Sequence, residues 1–370
     1  MFRVLLLFIF LLPSISFSKN VLTFKSEDMN LEVKKISSNI GVVWGMSFIS
    51  KNRILFTVKS GKIGILNVKT RRIKYLKNTP NIFYKGQGGL LDVQASPAFK
   101  DDNTLYFTYV KKVGNYATTV LSKVNLINDE LKNWKEILVS NAFTDTTRHF
   151  GSRITFDEKG HLFFSIGDRG KRSNSQNLAN HSGTIIRLNL DGTIPEDNPF
   201  INKKDALPEI YTYGHRNPQG IFYDKVTKQL LSIEHGPRGG DEINLIKKGL
   251  NYGWPIISYG KEYWNSFSIG EGTHKEGMEQ PLKYYIPSIA PSSLIVYRSK
   301  KISKWNGSIF SGALKLRHLN RIVLNKNNKV IKEERLLKKL GERIRNVIQS
   351  PQGDLFISTD TGSIYKITKY

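Results

Sequence analysis

The sequence contains no cysteine in 370 residues, so disulfides are excluded and the fold depends on core packing and hydrogen bonds. Long apolar runs are also scarce. Apart from one run near the start, none approaches the ~20 apolar residues of a membrane-spanning helix. The chain is 39% hydrophobic and 11% aromatic, which is typical of a globular protein and leaves room for two average domains or one large β domain.

The first residues have the pattern of a secretory signal. Arg3 precedes an apolar run over 4–12, and serines on either side of Phe17 supply the small residues of a cleavage site. We therefore predict a signal peptide over 1–18 and a single domain over 19–370, exported to a bacterial periplasm. Once the signal is removed, no integral membrane segment is expected. The alternative is an uncleaved N-terminal anchor.

Acidic residues are few relative to basic ones: 31 Asp and Glu stand against 56 Lys and Arg, for a formal net charge of +25. This excess is compatible with nucleic-acid binding, but the cations are scattered and no stacking motif accompanies them. Export also argues against that partner. We therefore predict a solvated basic surface and no nucleic acid.

Short runs of β-branched and aromatic residues follow turn residues six times along the chain. These runs occupy 48–66, 96–110, 156–168, 222–236, 305–314 and 348–367. Their spacing of roughly 50 to 80 residues is close to that of propeller blades. We predict an all-β fold, a six-bladed β-propeller of four-stranded antiparallel blades. The best helical pattern, over 333–344, is short.

Two polar residues in one strand–turn unit are candidates for acid–base chemistry. His149, in the segment RHFGSR, can act as a general base near neutral pH, and Asp168, in SIGD, could fix its tautomer. The alternative is a histidine that only satisfies a local hydrogen bond.

Several cations lie near strand ends. Arg343 and Arg345 are two residues apart, so on an extended segment both side chains point to one face. Such a pair needs an anion to share, which indicates a polycarboxylate or phosphate ligand, or else a bridge to Asp or Glu. Lys315 lies near another strand end, and Arg216 and Asn217 lie in a turn bounded by glycine and proline, where a surface arginine is the alternative.

The stretch EHGPRGGDEINLIKKGLNYGWP, 234–255, combines glycine, proline and acidic residues between two strand patterns. Gly236 and Pro237 offer backbone carbonyls, and Asp241 and Glu242 offer carboxylates. Oxygen donors of this kind suit Ca²⁺ rather than zinc. The spacing is not that of an EF-hand, so a glycine-rich hairpin with solvated acids is the alternative.

Together these motifs resemble the soluble pyrroloquinoline quinone (PQQ)-dependent aldose sugar dehydrogenases, of the soluble quinoprotein glucose dehydrogenase family. The resemblance covers about residues 40–367 and rests on segments that follow the family order: GQGGLLDVQASPAF, HFGSRITFDEKGHLFFSIGDRG, GTIIRLNLDGTIPEDNPF, EIYTYGHRNPQGIFYD, EHGPRGGDEINLIKKGLNYGWPIISYG, MEQPLKYYIPSIAPSS and RIRNVIQSPQGDLF. It implies a six-bladed propeller that oxidises aldoses at C1 to lactones by hydride transfer to PQQ, with Ca²⁺ as second cofactor.

The resemblance also implies roles for individual residues. His149 falls on the catalytic base, Asp168 on the acid that supports it, and Arg216 beside the reactive quinone carbonyl. The positions implied to bind the cofactor are Gln87, Arg216, Asn217, Lys315, Arg343 and Arg345, the last three through its carboxylates. The positions implied for calcium are the carbonyls of Gly236 and Pro237, with Glu242 and the Tyr252 carbonyl at a second ion and Asp241 in support.

An aldose substrate and an electron acceptor that the sequence does not identify are the implied partners. The calcium ligands of the family's dimer interface are not evident, so we expect a monomer or weak dimer. Two other functions stay open: a non-catalytic calcium-bound propeller that binds glycans or a protein, and a propeller lactonase. The first should have lost His149, Arg216 or the cation set, all present here, and the second has no use for that set.

Overall fold

A computed structural model describes residues 21–369. The signal predicted over 1–18 lies outside these residues. The described chain contains 25 strands and very little helix. The helical elements are one α-turn, α1 (Phe99–Asp102), and three 3₁₀ turns, Arg172–Gln176, Ser303–Trp305 and Lys338–Leu340. Within 21–369 no helix is long and apolar enough to cross a membrane.

Five of the six sheets are four-stranded and antiparallel, each formed by consecutive strands. Blade 1 contains β3 (Val43–Ser50), β4 (Arg53–Val58), β5 (Ile63–Asn67) and β6 (Ile73–Leu76). Blade 2 contains β7 (Leu90–Ala95), β8 (Thr104–Val113), β9 (Tyr116–Ile127) and β10 (Glu130–Val139). Blade 3 contains β11 (Ile154–Phe156), β12 (His161–Ile166), β13 (Thr184–Asn189) and β14 (Ile210–Tyr213). Blade 4 contains β15 (Pro218–Asp224), β16 (Gln229–Glu234), β17 (Asp241–Ile246) and β18 (Lys283–Tyr285). Blade 5 contains β19 (Pro291–Val296), β20 (Ile309–Ala313), β21 (His318–Leu324) and β22 (Val330–Leu336).

The sixth sheet is built from both ends of the described chain. Its C-terminal strands are β23 (Ile344–Gln349), β24 (Leu355–Thr359) and β25 (Ile364–Lys369), and its N-terminal strands are β1 (Val21–Ser26) and β2 (Met29–Ser37). Strand β2 pairs with β25 as the fourth strand of blade 6, and β1 adds a fifth strand at the edge. This pairing closes the ring.

The first strands of neighbouring blades, β3, β7, β11, β15, β19 and β23, contact one another in a closed circle. The predicted six-bladed β-propeller is therefore confirmed. Each of the six sequence repeats contains the second strand of a different blade. These strands are apolar on both faces because each blade is packed between two others, as in β12, where every residue after His161 is buried.

The segment 333–344, which has the best helical pattern, does not form a helix. It begins in β22, passes through the 3₁₀ turn at Lys338–Leu340, and ends at the start of β23. Strand β22 is the outer strand of blade 5, where one face meets solvent and charged residues are tolerated. Pairing with β21 outweighs the helix propensity of Glu, Leu and Lys.

Candidate active site

The strand order gathers the candidate residues at one end of the ring. Because antiparallel strands alternate in direction, the connections between blades and those between the second and third strands of each blade all open at the same end. Every predicted site residue except Tyr252 lies in or directly beside one of these loops. Tyr252 reaches the same end because the segment after β17 returns there, where its amide donates to the Tyr213 carbonyl at 2.9 Å.

A cavity of about 350 Å³ opens among these loops and takes lining residues from all six blades. Four predicted residues line it: Gln87, Asn217, Arg343 and Arg345. Its apolar wall includes Trp44, Leu91 and Phe150. Lys315 is exposed and does not line the cavity, but the preceding residue, Leu314, does.

A buried ion pair adjoins this cavity through three of its lining residues, Trp44, Gln219 and Arg345. The Arg153 guanidinium donates to the Asp92 carboxylate at 2.8 Å and to the carbonyls of Gln219 and Arg345, each at 3.1 Å. It also stacks on Trp44, with Cζ 3.9 Å from the ring centroid. Arg153, at the start of blade 3, thus contacts blades 1, 2, 4 and 6, and it lies between this cavity and a second one, of about 460 Å³, toward the other end.

The structure brings His149 and Asp168 into direct contact. His149 Nδ1 lies 2.6 Å from Asp168 Oδ1. The same carboxylate accepts hydrogen bonds from the Gly170 amide at 2.7 Å and from the Trp254 indole at 2.8 Å. With three donors around it, the Asp168 carboxylate is fixed in place and fixes the imidazole in turn.

Burial and charge set the protonation of this pair. Burial lowers the pKa of His149, and the positive charges of Arg216 and Arg148 lower it further against the opposing effect of Asp168. Burial acts to raise the pKa of Asp168, but the hydrogen bond from His149 and the charge of Arg216 outweigh it, so that pKa lies below its ordinary value. At neutral pH a neutral imidazole therefore donates from Nδ1 to an ionised carboxylate, and Nε2, which has no hydrogen-bond partner within 21–369, can accept a proton.

The backbone at His149 is held in an unusual conformation. Its φ is 57°, in the left-handed region that non-glycine residues rarely adopt. Its amide donates to the Gln87 side chain at 2.7 Å. A Cβ at Gly167 would lie 2.4 Å from the His149 carbonyl oxygen, so only glycine permits the loop of Asp168 to approach this closely.

Arg216 is buried beside the His149–Asp168 pair. Its amide donates to Glu234 at 2.7 Å, its Nη1 donates to the His235 carbonyl at 3.1 Å, and its own carbonyl accepts from the Asp168 amide at 2.8 Å. The Nε of Arg216 is buried and has no partner among the described residues. The guanidinium is therefore positioned at the site with a donor to spare.

The two predicted same-face arginines share a carboxylate of the protein itself. Arg343 Nε lies 2.8 Å from one oxygen of Asp360, and Arg345 Nε lies 2.7 Å from the other. Lys59 lines the same side of the cavity, where burial and the charge of Arg345 lower its pKa. Three cations thus face one carboxylate, which leaves positive charge available for a further anion.

The predicted metal residues converge on a third, ion-sized cavity of about 20 Å³. Gly236, Pro237, Glu242 and Tyr252 all line it, together with Glu234. Glu234 and Glu242 are paired across β16 and β17, and neither makes a salt bridge to lysine or arginine in the described chain. Burial and repulsion from Glu234 raise the pKa of Glu242 to about 8.

Asp241 organises the turn that borders this small cavity. One oxygen accepts from the Gly236 amide at 3.0 Å, and the other accepts from the Ser288 hydroxyl at 2.7 Å and the Ala290 amide at 2.9 Å. A Cβ at Gly236 would lie 2.2 Å from the Gly240 carbonyl, so the turn requires glycine. Across 21–369, no three His, Cys, Asp or Glu side chains are grouped to hold a metal; a cation here would depend on backbone carbonyls as well.

Four residues at the site were not singled out from the sequence. They are Lys59 and Asp360 in the cavity of about 350 Å³, Glu234 in the cavity of about 20 Å³, and Trp254, which donates to Asp168. Lys59 and Asp360 directly follow the second strands of blades 1 and 6, the position that Asp168 occupies near the end of β12. That shared position was the signal that could have identified them.

Comparison with known proteins gives consistent matches. The family described as "Glucose / Sorbosone dehydrogenase" matches residues 40–366. Aldose sugar dehydrogenase YliI of Escherichia coli is 36% identical over 369 residues, covering 97% of this chain and 98% of that protein. Quinoprotein glucose dehydrogenase B of Acinetobacter calcoaceticus is 28% identical over 426 residues, covering 92% and 88%. The crystal structure of the soluble aldose sugar dehydrogenase from Escherichia coli in the apo-form has a TM-score of 0.88 and 33% identity, covering 92% of this chain and all of that one.

Proposed function

Because this chain belongs to the glucose/sorbosone dehydrogenase family, we propose that it is a PQQ- and Ca²⁺-dependent enzyme that oxidises aldoses at C1 to lactones. The observation that carries the proposal is the His149–Asp168 pair, a neutral base with a free Nε2, beside a cavity with apolar and cationic walls.

The cavity lined by Gln87, Arg343 and Arg345 fits the chemistry of PQQ, a planar aromatic tricarboxylate. Its volume of about 350 Å³ is within the range of small-molecule sites. Trp44, Leu91 and Phe150 would contact the rings, and Lys59, Arg343 and Arg345 would bind carboxylates, with Lys315 at the margin. Gln87 and Asn217 add polar contacts, and the unpartnered Nε of Arg216 is a donor for an oxygen of the cofactor. One relative is named a quinoprotein, which supports this assignment.

The smaller cavity fits Ca²⁺. Glu234 is buried and Glu242 half-buried, and neither carboxylate has a lysine or arginine partner among the described residues. Burial and the charge of Glu234 raise the pKa of Glu242, so a cation beside the two carboxylates would stabilise both. Glu242 and the carbonyls of Gly236, Pro237 and Tyr252 would supply hard oxygen ligands. Asp241 would hold the turn that presents two of these carbonyls.

When bound, PQQ would supply the acceptor for the C1 hydride and Ca²⁺ would supply Lewis-acid polarisation, with PQQ held by residues that include Arg343 and Arg345 and the ion by Glu242 and neighbouring carbonyls. The chain itself prepares the sugar. His149 Nε2 takes the proton of the C1 hydroxyl, and Asp168 keeps Nδ1 protonated and stabilises the imidazolium that forms. Arg216 would stabilise negative charge that develops beside the pair. An external acceptor then removes the electrons.

The pH dependence follows from His149. Its pKa is lowered below the ordinary 6.5 by burial first and by neighbouring arginines second. The base must be neutral, so kcat/KM should be constant at neutral pH and fall only as the pH drops through this lowered pKa. Arg148→Gln removes one of the depressing charges and should move the acid limb upward. A pH profile of both proteins measures this; a limb above pH 6.5 in the unsubstituted protein contradicts it.

Calcium should stabilise the protein through Glu242. At about 100 times its Kd, an ion that binds only the folded state adds about 2.7 kcal/mol to the free energy of unfolding. We expect Ca²⁺ to raise the thermal midpoint by several degrees and EDTA to reverse the change. Glu242→Gln should abolish the effect, whereas Glu158→Gln, at an exposed carboxylate, should keep it. An equal rise in both variants would place the ion elsewhere.

The decisive experiment is reconstitution of the purified protein with PQQ and Ca²⁺, followed by dye reduction with a panel of aldoses. Turnover that needs both additions supports the proposal and identifies the sugars. Quinone binding without turnover on any aldose would favour a binding propeller that keeps the scaffold. No quinone binding would exclude the dehydrogenase mechanism and leave the calcium-bound propeller or the lactonase.

A further inference from the structure

The cavity mouth is surrounded by unpaired positive charge. Exposed lysines and arginines on the loops of this end make no salt bridge to a carboxylate of residues 21–369. They come from the connections between blades 1 and 2 and between blades 2 and 3 and from loops of blades 3 to 5: Lys85, Arg148, Lys171, Arg238, Lys261 and Lys315. We call this set the basic rim. Lys261 belongs to the long segment after β17 and reaches the rim by pairing with Arg238.

The carboxylates near the rim leave its cations without salt-bridge partners. The carboxylates near the rim are largely engaged: Glu262 binds Arg172 through both oxygens, at 2.6 and 2.7 Å, and Asp360 is held by two arginines. The loops of the opposite end carry charges of both signs: acids such as Asp129, Glu158 and Asp197 are paired with basic side chains there. A mouth lined by one sign of charge concentrates ligands of the other sign and raises their rate of entry.

Two rim cations lie directly beside the reacting groups. Arg148 precedes the proposed base, His149, in the chain, and a Cβ at Gly170 would lie 3.3 Å from Arg148 Nε, so this side chain lies over the loop of Asp168. Lys171 is exposed in that same loop. The positive charge therefore reaches the point where the substrate hydroxyl must arrive.

An aromatic hairpin adjoins the rim. Residues 261–268 are closed by a bridge between Lys261 and Ser268 and by a hydrogen bond from the Glu262 amide to the Phe267 carbonyl at 3.0 Å. The hairpin presents three exposed aromatic side chains, Tyr263, Trp264 and Phe267, and the last two are each 74% exposed. Exposed aromatic clusters mark binding surfaces, and the C–H faces of sugar rings pack on aromatic rings.

The hairpin is connected to the proposed base through Arg172. The Arg172 guanidinium is paired with Glu262, and its Cζ lies 5.7 Å from the ring centroid of Trp264 and 5.5 Å from that of Trp254. Trp254 in turn donates to Asp168, which holds the base. The exposed aromatic surface is thus a few side chains away from the reacting position.

We propose that the preferred substrate is an acidic saccharide of more than one unit, an oligouronate in chemical class. Its reducing-end unit would enter the cavity, its next ring would pack on Trp264 and Phe267, and its carboxylates would face the basic rim. The inference rests on the proposed function and leaves the chemistry unchanged: the C1 hydride passes to the cofactor, the C1 hydroxyl proton passes to His149, and the substrate carboxylates do not react.

The first test compares sugars that differ only in charge. D-galacturonate against D-galactose, and trigalacturonate against maltotriose, are oxidised with a small dye as acceptor at low and high salt. We expect kcat/KM to favour each acid at least about tenfold at low ionic strength, with the preference shrinking as salt screens the rim. Equal values for acid and neutral sugars at low salt would overturn the proposal.

Two variants separate the rim from the protein's general basic charge. Lys171→Gln with Lys261→Gln should reduce the acid-to-neutral ratio about tenfold. The matched control, Lys326→Gln with Lys329→Gln, removes two exposed charges from a loop at the opposite end and should leave the ratio unchanged. Trp264→Ala should weaken trigalacturonate more than galacturonate. A ratio that falls equally in both double variants would refer the effect to net charge alone and overturn the assignment to the rim.

Direct binding keeps this inference separate from the proposed function. Calorimetric titration of trigalacturonate into the protein without PQQ tests the rim even if no sugar is turned over. Binding of trigalacturonate without turnover of any sugar would support the acidic-saccharide site and contradict the proposed dehydrogenase function. Turnover of neutral aldoses without binding of trigalacturonate would support the dehydrogenase function and contradict the acidic-saccharide site. If instead only reduction of an acidic protein acceptor depends on salt and on Lys171 and Lys261, the rim binds that acceptor and the saccharide proposal is wrong.

Discussion

The His149→Gln protein should lose sugar oxidation by about 10²- to 10⁴-fold, the usual contribution of a positioned general base, while still binding PQQ with near-normal affinity. Glutamine has similar length but no basic nitrogen. Nothing would then remove the C1 hydroxyl proton as the hydride leaves. Of the residues proposed to bind the quinone, only Phe150 shares the loop of His149, and the cations Lys59, Arg343 and Arg345 come from other loops, so the cofactor contacts are left largely intact. Single-turnover reduction of bound quinone, with its affinity measured separately, checks both parts.

The chain contains a matched control for this experiment. His161 Nδ1 lies 2.7 Å from Asp157, in the same His–Asp arrangement but at the opposite end of blade 3. His161→Gln should change stability at most and leave the rate of quinone reduction unaltered. If His149→Gln retained full turnover, the proton would have another acceptor and the role of His149 as base would be refuted.

Replacing Arg343 and Arg345 together by glutamine should weaken PQQ binding by about 10²- to 10⁴-fold. Each charge-assisted hydrogen bond to a carboxylate contributes about 1.5–3 kcal/mol, and two would be lost. The variant also leaves Asp360 without its partners, so its charge would face the quinone carboxylates and oppose binding. Turnover at saturating PQQ should fall much less, because neither arginine contacts His149. Fluorescence titration with PQQ measures the affinity.

Removal of two positive charges from a basic protein could alter binding without any local contact. Arg71→Gln with Arg72→Gln is the comparison, since both arginines are exposed in a loop at the opposite end. PQQ affinity should be unchanged in that variant. Unchanged affinity in the Arg343–Arg345 variant would mean that the two arginines serve only Asp360, the alternative reading of their same-face spacing.

Much of the fold can be predicted from the sequence because propeller blades repeat. The second strand of each blade is packed on both faces, so it forms a short apolar run that recurs along the chain, as in the segment ending at Asp168. The outer strands of the blades are harder to predict from the sequence. Strand β22 carries Glu and Lys on its exposed face, and its pattern is equally that of a surface helix; only pairing with β21 decides between them.

Part of the candidate site can be predicted from the sequence for a related reason. Residues at equivalent strand ends meet at one end of the ring, so His149 and Asp168 could be expected together before any distance was known. Lys59 and Asp360 are harder to predict, since their local sequences, TVKSG and STDTG, resemble ordinary turns and only their position after a second strand distinguishes them. They become part of the site only because the ring places blade 1 beside blade 6, a contact between opposite ends of the sequence.

The pairing of β2 with β25 is the seam at which the ring closes in blade 6. Hydrogen bonds and packing hold this seam, with no covalent cross-link between the two strands. The cavity takes lining residues from every blade. Among them are Arg345 of blade 6 and Trp44 of blade 1, from the two blades that meet where the ring closes. An opened seam therefore dismantles the binding cavity even where each remaining blade stays folded. Joining strands so distant in sequence is also intrinsically slow. Acquisition of cofactor would thus mark the moment at which a newly made ring is complete.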